Sequence, residues 1–105
     1  MEQRRTRRFT LRLPLSITRA GAERVTVAGF TRNISSTGVL FTAEQEPDLG
    51  GAIEYVIILI RQGPKSVRLR CMGKVLRAER LQSDGRPVAY EVAATLERYQ
   101  FVRER

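Results

Sequence analysis

Apolar and polar residues alternate along most of this chain in short runs, a period of two that predicts strands rather than helices. Phe9, Leu11, Leu13, Leu15 and Ile17 share one parity, with Thr10, Arg12, Ser16 and Thr18 on the other. Pro14 interrupts this run and carries no N–H, which predicts a sheet edge or a bulge there. Ala20-Gly21-Ala22 reads as a turn into a second run over residues 24–31, where Val25, Val27 and Gly29 fall on one parity. Gly38 leads into the short apolar strand Val39-Leu40-Phe41-Thr42, and residues 44–51, with Pro47, Asp48 and a Gly-Gly pair, read as a loop.

The most apolar strand spans residues 53–61. The hairpin turn Gln62-Gly63-Pro64-Lys65 joins it to Val67, Leu69, Cys71 and then Val75. Ser83-Asp84-Gly85 marks another turn. The last clear strand covers residues 88–96, with Tyr90, Val92 and Ala94 on one face. Residues 97–105 read either as a strand extension or as one helical turn, too short and too charged for a packed helix. About six strands with hairpin-type connections imply an all-β fold, a small antiparallel β-barrel or sandwich, and closure would remove the vulnerable edges.

A length of 105 residues fits one domain with one modest core. The longest apolar run, residues 55–60, is strand-sized and far below the ~18 residues that cross a bilayer as a helix, so no membrane insertion is expected. The basic N-terminus lacks the apolar segment of a secretory signal, which makes a cytoplasmic location the expectation. The single cysteine, Cys71, cannot close an internal disulfide and suits a reducing compartment. With no histidine, the Ser-His-Asp and Cys-His arrangements are impossible and the usual general base near neutral pH is missing. Neither an enzyme nor a bound metal or cofactor is expected.

The net charge of +8 comes almost wholly from arginine, since Lys65 and Lys74 are the only lysines. A guanidinium offers a planar fork that matches a phosphate, or the O6/N7 edge of guanine, with two hydrogen bonds. Half of the excess sits in residues 1–12, where Arg4, Arg5, Arg7, Arg8 and Arg12 face only Glu2, a local sum of +4.

Two segments stand out. Arg4-Arg5-Thr6-Arg7-Arg8 holds the spacing Arg-x-x-x-Arg, and Asn33-Ile34-Ser35-Ser36-Thr37-Gly38 has the form Asn-x-Ser-x-x-Gly between two strands. Taken singly, the first reads as a solvated tail. The second reads as a turn in which Asn and Ser bond their own backbone and Gly takes positive φ. Together, in this order and about 25 residues apart, they resemble the PilZ family of cyclic di-GMP receptors, and the strand spacing extends that resemblance over nearly the whole chain.

The resemblance implies a six-stranded antiparallel β-barrel over residues 9–98, a flexible ligand-binding arm over residues 1–8 and a tail over residues 99–105, with little or no C-terminal helix. It assigns cyclic di-GMP binding to Arg4 and Arg8 with Arg5 as helper, and to Asn33, Ser35 and Gly38. Asn33 stands where the family has Asp or Asn reading the guanine N–H edge. Arg77 is a further candidate, at the end of the strand Gly73-Lys74-Val75-Leu76-Arg77, where some members place an aromatic that stacks on guanine. A bacterial signal receiver of this kind, without an effector domain, needs a downstream protein partner.

Two other readings compete with it: a PilZ-like adaptor that binds no nucleotide, and a small basic barrel that binds nucleic acid. The seven aromatics are spread singly, without the stacking platform that nucleic-acid barrels use, so specific nucleic-acid binding is not expected.

Overall fold

The computed structural model describes residues 9–81, 85 and 88–104. Its elements are β1 (Pro14–Ala20), β2 (Glu23–Ile34), β3 (Gly38–Ala43), β4 (Ala52–Gln62), β5 (Lys65–Leu81), β6 (Ala89–Thr95) and β7 (Arg98–Glu104), with no helix among the described residues. Every pairing is antiparallel. The neighbours run β4–β1–β2–β3–β6–β5, and β4 pairs again with β5, so six strands close into a ring. The 17-residue strand β5 makes this closure possible, because its first part pairs with β4 and its last part with β6. The expected all-β antiparallel architecture is present.

The C-terminal residues make a seventh strand. After a break at Leu96 and Glu97, β7 continues along β5 from Met72↔Arg98 to Ser66↔Glu104. The tail is therefore part of the sheet, held by backbone pairing rather than by an apolar helical face.

Alternation fills the ring's interior: Leu15 and Ile17, Phe41 and Ala43, Tyr55 and Ile57, Leu69 and Cys71, and Val92 and Ala94 are all buried. Phe41 and Tyr55 pack with ring centroids 5.5 Å apart, and the Tyr55 hydroxyl donates to the Thr95 carbonyl at 3.0 Å, satisfying the one polar atom that ring brings inside. Burial pushes the Cys71 thiol up to about 12, so it stays neutral and serves as core.

One expected strand is shorter than its pattern. The parity holds only from Leu13, which packs against the core, through Leu15 and Ile17, and β1 begins at Pro14. Leu15 and Ile17 are buried, while Phe9 and Leu11 are exposed. The bulge falls later, between Ile17 and Arg19. Residues 9–13 instead lie along the end of β2. Phe9 and Ile34 exchange backbone bonds of 2.9 and 3.0 Å, and the buried Thr31 hydroxyl accepts from the Leu13 N–H at 2.9 Å while donating to the Leu11 carbonyl. Arg12 also lies over the Phe30 ring, 4.0 Å from its centroid.

Candidate functional site on the outer face

Two bulges shape the outside of the ring. In β2, Val27 and Thr31 face the core on one parity, but the pairing slips between Thr31 and Asn33. The extra residue, Arg32, flips the parity, so Ile34 packs on the core and Asn33 turns outward. In β5, Leu69, Cys71 and Val75 face inward until a slip between Val75 and Arg77 inserts Leu76. Ala78 then takes the inner side, and both Leu76 and Arg77 face out.

These reversals align Asn33↔Leu40, Leu40↔Ala93 and Ala93↔Arg77 as one row across β2, β3, β6 and β5. With strands about 4.8 Å apart, the row spans about 14 Å. The polar ends are Asn33 and Arg77, and the floor between them is the small apolar pair Leu40 and Ala93. A hollow of about 220 Å³ covers this row, with Ser35, Thr37, Gly38 and Leu76 at its rim.

The turn closing the hollow is held by Ser35. Its hydroxyl accepts from the Gly38 N–H at 3.1 Å and the Thr37 N–H at 3.3 Å, and donates to the Gly38 carbonyl at 3.1 Å. Its bonding capacity is spent inside the turn, so Ser35 shapes the site from below. Gly38 does not take the positive φ expected of it; the positive-φ glycines are Gly21, Gly50, Gly63 and Gly85. Gly38 begins β3, where a Cβ would lie 3.0 Å from the Ala94 carbonyl oxygen, so close strand approach selects the glycine. Asn33 likewise forms no turn of its own: its Oδ1 accepts from the Thr10 hydroxyl at 3.3 Å.

The structure therefore brings Asn33, Ser35, Gly38 and Arg77 together around one hollow. Arg77 stands within β5 rather than at its end, since β5 runs on to Leu81. Its Nε lies 3.5 Å from Glu79, both side chains exposed, a contact water screens easily. Nearby, Arg32 is paired with Glu91. Arg4, Arg5 and Arg8 lie outside the described residues. Leu40, Ala93, Leu76 and Thr37 were not among the residues the sequence singled out. The outward parity of Leu40 and Ala93 was readable, but that they adjoin Asn33 depends on register.

A small antiparallel ring with a shallow, partly polar hollow beside an ordered turn defines a binding domain. The chain belongs to the PilZ domain family, whose model matches residues 2–99. No curated protein and no solved structure matches it. PilZ domains are a family of cyclic di-GMP receptors and adaptors, binding domains rather than enzymes. No helix among the described residues is long and apolar enough to cross a membrane.

Proposed function

We propose that this chain binds cyclic di-GMP on the Asn33–Leu40–Ala93–Arg77 row and relays the signal by drawing residues 1–8 over the bound ligand, altering a contact with a downstream protein in the bacterial cytoplasm. The observation that carries this reading is the Phe9↔Ile34 bridge. It ties the chain directly beside Asn33, at the point where the arginine-rich segment begins. In sequence, Arg8 is one residue from that anchor and Arg4 four further back.

The chemistry fits the ligand. Cyclic di-GMP carries two guanines and two phosphodiester charges. Leu40 and Ala93 offer a flat apolar floor for a purine, Asn33 a polar edge for guanine N–H groups, and Arg77 a guanidinium that can stack on the second base. Arg77 is flanked by Glu79 and Arg32 is paired with Glu91, so the phosphate charge falls to Arg4 and Arg8, with Arg5 assisting. Ordering an arm in this way changes the exposed surface without moving the ring.

The test is calorimetric titration with cyclic di-GMP of the unsubstituted chain and of Arg8→Ala. Saturable binding, weakened at least about tenfold in the variant, a loss of about 1.4 kcal/mol, supports the proposal. Equal binding by both removes the arm from it. A second reading, an adaptor that binds no nucleotide, draws on the Ser35 hydroxyl being spent within its own turn. Absence of binding heat in the unsubstituted chain selects that reading.

A further inference from the structure

β7 has a pairing neighbour on one side only. β5 occupies that side, and nothing among the described residues pairs with the other. Such a strand offers a row of free N–H and C=O groups to any incoming strand, and natural edges are blunted by proline, a bulge or charged side chains. β7 has no proline and no bulge, and its charges, Arg98, Arg103 and Glu104, stand near its two ends and leave Tyr99 to Val102 uncharged. Its register with β5 runs through seven pairs without a slip, whereas the β1–β2, β1–β4, β2–β3, β4–β5 and β5–β6 pairings each contain one. Tyr99 and Phe101 project on one face of β7 with their rings 6.2 Å apart, and each is 61% exposed. Two neighbouring aromatics that exposed make an interaction surface in search of a cover.

We propose that β7 pairs antiparallel with β7 of a second copy of this chain, about a two-fold axis through Phe101. Phe101 is the middle of the seven residues Arg98–Glu104, so this register pairs the whole strand. It sets Phe101 against the partner's Phe101, Tyr99 against the partner's Arg103, and Gln100 against the partner's Val102. The guanidinium of Arg103 then meets the face of a tyrosine ring instead of a like charge, and the Phe101 rings cover each other at the centre. A register moved by two residues either way leaves Arg98 or Arg103 without a counterpart. The interface is isologous and closed, so pairing stops at two copies, and β4–β5–β7 of each copy joins one continuous sheet across the axis.

One strand pair with a small aromatic cluster lies at the low end of interface size, so dimers should form over about 10–100 μM. The test is analytical ultracentrifugation of the full chain from about 5 to about 500 μM. The expected result is a mass that rises from the 12.0 kDa of one chain toward twice that value. Phe101→Lys, which sets two ammonium groups across the axis at an already exposed position, should stay monomeric with an unchanged thermal transition.

A second arm tests the register. Phe101→Cys places two thiols at a directly opposed pair, about 4.5–5.5 Å apart at Cα, within disulfide range. Under mild oxidation it should form covalent dimer at least about tenfold faster than Leu49→Cys, an equally exposed loop position at 67%; the buried native Cys71 contributes to neither. A monomeric mass at every concentration overturns the proposal. So does a dimer that survives Phe101→Lys, or equal cross-linking of the two cysteine variants.

Discussion

Two rows cross the outside of the ring, and they present opposite chemistry. The first is Asn33–Leu40–Ala93–Arg77. The second, across β1, β4, β5 and β7, is Arg19–Glu54–Met72–Arg98. Both have an arginine at an end and a hollow above. The second hollow is the larger, about 330 Å³ against about 220 Å³. Its centre, however, holds Glu54, locked to the Arg70 guanidinium at 2.8 Å. An anion arriving there meets Arg19, Lys74 and Arg98 around the hollow, but at its centre a carboxylate whose own cation, Arg70, is already engaged. The centre of the first row is Leu40 and Ala93, which a purine can cover without displacing any charge. What stands in the middle of a hollow decides its ligand more than its volume does.

The largest expected difference between the two regions is in stability. Gly73 lines the second hollow, and a Cβ there would lie 1.8 Å from the Thr95 carbonyl oxygen, whereas one at Gly38 would lie 3.0 Å from that of Ala94. Gly73→Ala must push β6 away and is predicted to cost about 3 kcal/mol, with Gly38→Ala at about 1 kcal/mol. Urea unfolding of the two variants measures this, and equal midpoints would contradict it.

Next comes ligand affinity. Ala93→Glu places a carboxylate on the floor of the first row and is predicted to weaken cyclic di-GMP binding about 100-fold, roughly 2.7 kcal/mol. Met72→Glu, at the matching position of the second row, should leave affinity within about twofold. A titration in which Met72→Glu loses as much as Ala93→Glu would move the site.

Arg77→Ala should lose about tenfold in affinity and Arg98→Ala almost nothing. The smallest effect is at the ion pair. Because Arg70 is substantially exposed, although Glu54 is largely covered, Glu54→Gln should move the thermal transition by no more than a few degrees. A thermal shift of more than a few degrees would show that the pair does more for the ring than its exposure implies.

Part of this architecture is written in the residue pattern itself. Alternation in residues 88–96 marks the buried positions Val92 and Ala94, because that strand has one wet and one dry face. The unbroken apolar run 55–60 has no period to choose a face, and the strand pairing puts Tyr55 and Ile57 inside. A turn held by Ser35 is legible from residue type, but Asn33 belongs to β2 and Gly38 begins β3 without positive φ. The two bulges are not legible. Whether Arg32 and Leu76 are extra residues depends on the strands opposite, so residue pattern alone puts Arg77 at a strand end and gives no reason to join Leu40 and Ala93 to Asn33. Phe9 and Leu11 continue the parity of Leu13, Leu15 and Ile17, yet they precede β1 and stay outside. The tail was ambiguous for a related reason: β7 has few apolar residues of its own and is held by backbone bonds to β5.

The most direct test of the central claim is to follow the backbone amide resonances of the full chain by NMR as cyclic di-GMP is added. The account predicts that Asn33 to Gly38, Leu40, Ala93, Leu76 and Arg77 shift together and saturate, while Arg19, Glu54, Met72 and Arg98 stay in place. Saturating shifts confined to the second row, or none at all, would contradict it.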